Sequence, residues 1–495
     1  MRSWTDIVLP LLIGAVLFAL AVTLGPMIGV GAFLGLGLLA VIFFYPIVGL
    51  ALMLLAGTAF QVLGSEHLTG LPLSLAKIAG LLTLLAWIAR SLIDRIPLTY
   101  SPQVPALVAF AFFLVLASFA AEDPALAREG LFRYAQLFLL FFMIASIAGQ
   151  SRTMLDAACL SLTACVALSA IIGLLEFFIP SLAIESDDPS LIQGAIGAII
   201  DRSSLDGLDI KRITGGLSDS NWFAYTLVAV LPLNLYLWHR YSAWVMRSLL
   251  LTAAALQCIG IVLSYTRSAL LALGLAVAFL VFKRRLPLAR VVAVALIVAT
   301  AVLVWNPPGL QRMFSTQYLQ EGSTPMRSWL IRGGITLIQE RPITGYGYNQ
   351  FGPAFVRWLD HQPVDETVGI WQRELEKRVA AGEEQYEWVM PHNTILQVWT
   401  EYGLFAFLAF ALFVFFSLHD LRVARRFGSP GERELSDCLF AGTLALVTCA
   451  MFGHLTLLKI LWIIPGFAAA LRRVALTGEV AMSPRPSDLA VGGMA

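Results

Sequence analysis

The sequence contains little charge. Only 13% of its 495 residues are charged and 58% are hydrophobic, whereas a soluble domain has roughly 25% charged residues. Neither sign dominates, because 33 Lys and Arg stand against 32 Asp and Glu, a net charge of +1. This balance excludes the basic surface of a nucleic-acid-binding protein. With a mean hydropathy of +0.79, we expect most of the apolar surface to face lipid rather than the interior of a soluble enzyme.

Cysteine is also scarce, and its spacing carries no redox or metal signal. The 5 cysteines lie in apolar runs without any C-x-x-C pair, as expected for small core or lipid-facing side chains. They are Cys159, Cys165, Cys258, Cys438 and Cys449. The sequence shows no repeat of about 20 to 50 residues and no inverted pair of interrupted spans, which transporters often have.

Long apolar runs are abundant. A transmembrane helix needs about 20 apolar residues, and the candidate runs are 7–24, 27–44, 46–63, 72–92, 104–120, 130–147, 154–178, 221–238, 244–265, 267–283, 288–306, 393–417, 437–456 and 458–476. They predict an all-α fold, a polytopic transmembrane helical bundle of about 12–14 spans. Runs 27–44 and 46–63 fit either a helical hairpin or one broken element, and run 7–24 is expected to be an uncleaved span rather than a signal peptide.

The short loops keep Lys and Arg on one side of the predicted bundle, which the positive-inside rule makes cytoplasmic. These residues are Arg90, Arg95, Arg152, Arg240, Arg247, Lys283, Arg284, Arg285, Arg290, Arg422, Arg425, Arg426, Arg433, Arg472 and Arg473. Because successive spans alternate in direction, both termini are also predicted to lie in the cytoplasm. The alternation places segments 179–220 and 307–392 on the opposite, external side.

The external loop 307–392 is predicted to be partly helical. Met326 to Glu340 is predicted to form an amphipathic helix at the membrane surface, and residues 342–347 a tight turn after it. The apolar positions at helical spacing are Trp329, Ile331, Ile335 and Ile338. A second helical stretch, Thr367 to Ala381, carries alternating charge and is expected to face solvent.

Four external arginines are candidates for binding an anion. Arg267 occupies a short turn, 264–268, where a guanidinium either snorkels to lipid headgroups or binds phosphate oxygens. Arg212, Arg327 and Arg332 lie on the same predicted side. Arg327 and Arg332 are five residues apart and do not share a helix face, so we expect Arg327 to point at the site. Arginines around the mouth of a bundle suit a lipid-linked diphosphate, whose charge must be stabilised as it leaves.

His392 is the candidate general base. It follows Pro391 where the long loop re-enters the membrane, opposite the arginines. A lone histidine is most often structural, but an imidazole at this boundary could take a proton from a sugar hydroxyl. Asn393 either caps the next helix or orients the ring and binds substrate.

Other polar residues favour structural interpretations. Asp360, His361, Asp365 and Glu366 could hold a hard cation, but without regular spacing a solvated turn is favoured. Four charged residues lie in or near the predicted spans. A proton relay through them is possible, but their positions do not indicate one. They are Lys77, Asp156, Glu176 and Lys459.

Several short motifs occur in one order in the second half of the chain. They are Thr266-Arg267-Ser268-Ala269-Leu270-Leu271, Met326-Arg327-Ser328-Trp329, Pro342-Ile343-Thr344-Gly345-Tyr346-Gly347 with Phe351, Pro391-His392-Asn393-Thr394-Ile395-Leu396-Gln397 and Glu401-Tyr402-Gly403-Leu404. Each is weak alone, but their order, spacing and sidedness are fairly specific. Over residues 205–420 the chain therefore resembles the superfamily of O-antigen ligases and polymerases.

The resemblance implies a metal-independent, inverting glycosyltransferase without cofactor in a bacterial inner (cytoplasmic) membrane, with its site facing the periplasm. The donor would be an undecaprenyl-diphosphate-linked glycan. The acceptor would be lipid A-core or a growing polysaccharide, with membrane lipid and polysaccharide chain-length or export proteins as further partners. The domains would be N-terminal transmembrane helices 1–204, a ligase-like core 205–420, C-terminal transmembrane helices 421–481 and a disordered tail 482–495.

The resemblance also assigns residues to the site. His392 and Arg267 match catalytic positions, and Arg327, Arg212 and Asn221 match substrate-binding positions. Arg332 and Asn393 are further substrate-binding candidates because of their own positions, on the helix of Arg327 and next to His392. Ser220 stands where the family often has proline, and Met390-Pro391 where ligases often have a second histidine, so ligase and polymerase both stay open. A transporter or flippase of lipid-linked saccharide is the alternative function, and a non-catalytic envelope scaffold is a third.

Overall fold

The structure is a computed structural model that describes residues 26–59, 74–93, 101–179, 212–217, 219–293, 323–363 and 389–482, with residues 296, 300, 369 and 372. The helices are α1 (Pro26–Phe44), α2 (Pro46–Thr58), α3 (Leu75–Ile93), α4 (Gln103–Phe119), α5 (Pro124–Ala148), α6 (Arg152–Phe178), α7 (Ser220–Arg240), α8 (Trp244–Leu263), α9 (Arg267–Phe282), α10 (Ser323–Glu340), α11 (Phe351–Leu359), α12 (Thr394–Phe427), α13 (Pro430–Ala450) and α14 (Ile460–Met482). No strand occurs in these ranges, and the predicted all-α class is confirmed.

Six of the described helices are long and apolar enough to cross a membrane, or seven if one bent pair counts as a single span. The six are α3, α5, α6, α8, α12 and α14. The bent pair is α1 with α2, which meet at 117°. The sequence was equally compatible with a helical hairpin and with one broken element in this region. In the structure the chain bends sharply directly before Pro46.

The remaining helices of the bundle are shorter or more polar. Helices α4 and α9 are apolar but short, while α7 and α13 have 21 residues each, about 30 Å at the rise of an α-helix. Predicted run 7–24 and most of run 288–306 lie outside the described residues. The total of 12–14 spans therefore stays a prediction.

Several helices begin at side chains that cap them. Asp123 accepts hydrogen bonds from two backbone N–H groups of α5, Ser151 caps α6, and Asp219 caps α7. Asn393 caps α12, and Ser429 with Glu432 forms a capping box on α13. Such caps satisfy backbone donors that a helix start leaves unpaired.

Helix α14 lies in the centre of the bundle, packed against α5 and α12. Its Trp462 is fully buried and contacts the rings of Phe110, Phe138 and Phe413. Burying an aromatic side chain of this size excludes lipid and solvent from the bundle axis. The centre of the bundle is therefore filled by aromatic side chains around Trp462.

Buried aspartates hold the arginines of the end predicted to be cytoplasmic. Asp156 in α6 pairs with Arg152 and with Arg240 at the end of α7. Asp437 in α13 pairs with Arg285 and Arg425, and Asp420 in α12 pairs with Arg472. All five arginines belong to the set that the sequence placed in the cytoplasm, and the structure gathers them in the helix ends of one face.

Replacing Asp156 with asparagine is expected to lower the free energy of unfolding by about 3 kcal/mol, because two guanidinium groups lose a buried partner. The side chain of Asp156 is 4% exposed, whereas Arg240 is 47% exposed and can recover some hydration. Glu129→Gln is the matched control, since Glu129 and Arg133 are 47% and 52% exposed and such a pair contributes about 0–1 kcal/mol. Unfolding by SDS titration in mixed micelles would measure both. Equal losses would contradict the structural role of Asp156.

The described part of the long loop, mainly residues 323–363, forms a small second core beside the bundle. Helices α10 and α11 pack together through the apolar residues Trp329, Leu330, Leu337, Tyr346, Phe351, Ala354, Phe355, Val356, Leu359 and Val389. The predicted helix from Met326 is confirmed, but only some of the residues predicted to form its apolar face are buried. Trp329 is buried, whereas Ile331 and Ile335 are 44% and 48% exposed, because α10 turns its glycines towards α11 and α12.

The loop is fixed to the bundle at a break in α12. Gly403 has φ 79° in the middle of this helix, which frees backbone groups on either side of it. Tyr346 N–H donates to Thr400 O at 3.0 Å and Leu404 N–H donates to Pro342 O at 2.9 Å. The turn 342–347 thus replaces helical hydrogen bonds that the break removes.

Candidate functional site

The first turns of α7 connect the segments that carry the predicted site residues. Asn221 contacts Arg212 and the turn 264–268, and Trp222 contacts the loop after α13. The hydroxyls of Tyr225 and Ser268 lie 2.8 Å apart. This end of α7 is opposite to the end that carries Arg240, so the site lies away from the buried aspartates. We call it the site end and define it by Asn221, Arg267, Arg327, His392 and the adjacent His454.

Arg212 is held by three acceptors of the protein. Its Nε donates to Ser264 O at 2.9 Å, and its terminal nitrogen donates to Asn221 Oδ1 at 2.9 Å and to Thr266 Oγ1 at 3.1 Å. These bonds fix the turn that precedes Arg267. The arrangement gives Arg212 and Asn221 a positioning role, whether or not a substrate also touches them.

The segment of Arg212 is itself anchored by a buried carboxylate. Glu176 is 3% exposed and accepts backbone N–H bonds from Thr214, Gly215 and Gly216 at 3.0, 3.1 and 3.2 Å. Both glycines have positive φ, and a Cβ on Gly216 would lie 2.1 Å from Ala59 O. A side chain cannot be accommodated there, so the two consecutive glycines are required by this loop. Of the intramembrane charges found in the sequence, Glu176 therefore has a structural function.

Arg267 is the first residue of α9 and is half-buried. Thr266, which precedes it, is held by Arg212 and Asn221, and Ser268, which follows it, contacts Tyr225. The backbone on both sides of Arg267 is therefore tied to α7. A guanidinium fixed in this way at a helix start adds to the positive end of the helix dipole.

The two arginines of α10 have different surroundings. The charge of Arg327 acts on the rings of His392 and His454 and on Tyr225. The guanidinium carbon of Arg332 lies 5.7 Å from the ring centre of Trp329, and its side chain is exposed. Helix α10 thus directs Arg327 to the site end and leaves Arg332 on the outer surface.

The backbone around His392 is fixed by hydrogen bonds to the loop after α13. Asn393 caps α12 at Leu396 N (3.0 Å) and donates to Met451 O at 3.1 Å. Thr394 Oγ1 donates to Gly453 O at 2.7 Å. His392 itself has φ 45°, an unusual value that histidine, asparagine and aspartate tolerate best. Of the two roles that the sequence left open for Asn393, the structure provides the cap.

The ring of His392 is neutral at physiological pH. Its pKa is lowered to about 3, mostly by burial and in smaller part by the positive charges that the neighbouring His454 and Arg327 can carry. A neutral imidazole can accept a proton, as a general base must. An anion bound beside Arg327 would weaken this repulsion and raise the pKa of His392, so the ring would become more basic when an anionic substrate is present.

His454 was not found from the sequence. Its ring centre lies 5.6 Å from that of His392, at an interplanar angle of 60°. The sequence placed this residue inside the predicted span 437–456, but α13 ends at Ala450 and the following residues form the loop to α14. The predicted boundary was wrong because an apolar run continues past the last helical turn. The available signal was Gly453, a helix-breaking residue directly before the histidine.

No metal site is formed by the residues that the structure describes. No group of three or more His, Cys, Asp and Glu side chains comes together in those ranges. His361 lies with its Nδ1 2.7 Å from Arg357 O, on the exposed surface of the loop. Asp365 and Glu366, the other members of the weak cation motif, lie outside the described residues. The described side chains of the site end supply guanidinium, imidazole and hydroxyl groups.

Apolar helices around an aromatic core, with arginines and histidines gathered at one end, define a polytopic helical membrane protein with a polar site at its surface. Residues 252–411 match the family model described as O-antigen ligase, and the predicted relation to the O-antigen ligase and polymerase superfamily is confirmed. The matched range contains Arg267, Arg327 and His392. The relation indicates a membrane enzyme of the glycan-transferring kind. A comparison with curated proteins found no match.

Proposed function

We propose that this protein transfers a glycan from a polyprenyl diphosphate carrier, undecaprenyl diphosphate, onto an acceptor hydroxyl at the periplasmic face of the inner membrane. The observation that carries the proposal is the convergence of Arg327, from the external loop, and the neutral His392, from the start of α12, at one end of the bundle. Ser268 and Tyr225 bring the start of α9, with Arg267, to the same end.

In the proposed reaction the arginines bind the leaving group and His392 acts as the general base. Arg267 and Arg327 bind the diphosphate and stabilise its charge as the bond to the anomeric carbon breaks. His392 takes the proton from the acceptor hydroxyl as its oxygen attacks that carbon. The electron pair of the broken bond leaves with the diphosphate. A single displacement of this kind inverts the anomeric carbon, and guanidinium groups can supply the charge neutralisation that a metal ion supplies elsewhere.

The glycan profile of a deletion strain tests this function directly. If carrier-linked polymer accumulates while long chains disappear from lipid A-core, the protein is a ligase. If single repeat units accumulate, it is a polymerase. A deletion strain with a normal glycan profile would contradict both. Flux of lipid-linked saccharide across proteoliposomes without any acceptor would instead favour the transporter or flippase.

Arg327→Gln is expected to slow glycan transfer tenfold to a hundredfold, roughly the loss of one charge-stabilising group at a transition state, with Arg267 still in place. Arg332→Gln is the matched control on the same helix and should stay close to wild type, because Arg332 packs on Trp329. Complementation of the deletion strain, with membrane levels of each variant measured by immunoblot, decides between them. Equal effects of the two substitutions would remove Arg327 from the site.

A further inference from the structure

The loop between α13 and α14 brings a second histidine to the site end. His454 is fixed beside His392 because the two backbone segments are joined by hydrogen bonds. Thr394 Oγ1 donates to Gly453 O at 2.7 Å and accepts from Leu455 N–H at 3.0 Å. The residues on both sides of His454 are therefore held by the first residue of α12, two positions after His392.

The ring of His454 is enclosed on two sides. It lies 5.6 Å from the ring centre of Trp222 and 5.6 Å from that of His392, and Trp222 Nε1 donates to His454 O at 3.1 Å. Its Nδ1 is buried and makes no hydrogen bond within the described part of the chain. A buried polar atom left without a partner costs about 1–3 kcal/mol, so such an atom in a native site calls for a functional explanation.

The charged groups around the two rings are not symmetric. Arg327 of α10 repels a proton on either ring, whereas Asp219, the cap of α7, attracts a proton on His454 only. Another titratable group near Arg327 is Tyr225 of α7, whose hydroxyl is paired with Ser268 at 2.8 Å. Of these charged groups, Asp219 alone favours a proton on His454, whereas burial opposes a proton on either ring.

Both rings are neutral at physiological pH. Burial lowers the pKa of His454, as it does that of His392, and Asp219 opposes this effect for His454 alone. The presence of His454 further lowers the pKa of His392. One proton can be added to the pair, but a second would place two like charges next to each other.

We propose that His392 and His454 act as one proton-accepting pair, in which His454 is the positioning residue that orients His392 and shares the proton that His392 removes from the acceptor hydroxyl. This inference rests on the proposed function. The O–H bond of the acceptor breaks, its oxygen forms the bond to the anomeric carbon, and the diphosphate leaves with the electron pair. The proton moves from the hydroxyl to His392, then to His454 directly or through one water, and from there to solvent.

His454→Phe tests the proposal because phenylalanine keeps a ring of similar size but cannot bind a proton. In proteoliposomes with lipid-linked donor and acceptor, the variant is expected to lower kcat about tenfold with little change in the KM of the donor. The acid limb of its kcat/KM profile should move to higher pH by about one unit or less, since no second ring can then hold a proton beside His392. His361→Phe, on the outer surface of the loop, is the matched control and should leave both quantities unchanged.

A second measurement follows His392 without any turnover. Diethyl pyrocarbonate modifies neutral imidazole, so its rate of reaction at His392 against pH, read by mass spectrometry, reports the protonation of that ring. We expect the curve of His392 to move to higher pH in His454→Phe. Asp219→Asn, in which asparagine still caps α7, should leave the curve of His392 unchanged, because the charge of Asp219 acts on His454 and not on His392. If His454→Phe does not fold, His454→Gln provides the same comparison.

The outcomes separate this inference from the function on which it rests. If His392→Asn transfers glycan normally, His392 is not the base and both proposals fail. If His392→Asn is inactive while His454→Phe keeps the wild-type pH profile and the wild-type modification curve of His392, only the paired role of His454 is overturned. A fall in activity without any change in either curve would assign His454 to packing alone.

Discussion

Replacement of His392 by asparagine is expected to lower the rate of glycan transfer about a thousandfold, within the range that general-base catalysis provides. Asparagine is the best replacement because it tolerates positive φ, and His392 has φ 45°. It keeps a polar side chain beside His454 but cannot become a cation. The fold should therefore persist while the proton acceptor is lost.

The assay compares initial rates of purified variants in proteoliposomes, with His361→Asn as the control. His361 is exposed on the outer side of the loop and should have no effect on the rate. Circular dichroism and size-exclusion chromatography would establish that both variants fold. A folded His392→Asn variant with at least a tenth of the wild-type rate would rule out the general base.

The pH dependence of the wild type follows from the same ring. An ordinary histidine has a pKa of about 6.5 and is largely protonated at pH 5, whereas burial lowers the pKa of His392 to about 3. The neutral, proton-accepting form therefore persists as the pH falls from 7 to 5. We expect kcat/KM to change little over this interval, with the acid limb of kcat at higher pH because the bound diphosphate raises the pKa of the ring.

Gly403→Ala is expected to destabilise the protein more than any substitution of a surface residue. A Cβ at this position would lie 1.8 Å from Ile343 O and 2.4 Å from Ile343 C. These are backbone atoms of the turn that docks on the break in α12, so neither side can yield. The positive φ of 79° adds strain for alanine, and we expect a loss above about 3 kcal/mol.

Gly274→Ala is the matched control in a helix. A Cβ on Gly274 meets nothing within 4 Å, and alanine favours a helix over glycine by about 1 kcal/mol. Thermal unfolding in detergent, followed by tryptophan fluorescence, should show a large decrease for Gly403→Ala and a small increase for Gly274→Ala. Similar unfolding temperatures for Gly403→Ala and wild type would mean that the turn does not dock on α12 as described.

Much of the fold follows from local sequence patterns. The apolar runs located helices α3 to α9 and α12 to α14, because a chain in lipid must satisfy its backbone groups within each helix. The positive-inside rule predicted a common side for the five arginines of these ion pairs, but the sequence did not show that Asp156, Asp420 and Asp437 pair with them. Those pairs join residues as much as about 150 positions apart, a separation that no local pattern encodes.

The site was predictable residue by residue but not as an arrangement. Arg267, Arg327 and His392 were singled out by their position at predicted membrane boundaries. The difference between Arg327 and Arg332 depends on which side of α10 packs against α12, where Gly334 lies against Leu396. His454 was not predicted as a site residue, because its apolar neighbours placed it inside a predicted span that extends beyond the observed end of α13.

The sequence by itself determined that this is a helical membrane protein and predicted that its candidate arginines and histidine lie on the external side, because hydrophobic length and the placement of charge are properties of single segments. Only the tertiary structure decided which of these residues meet. The contacts of Arg212 with Asn221 and Thr266, and of His392 with His454, join segments that are distant in the chain. Proximity of this kind arises from helix packing and loop docking, which depend on the whole chain at once.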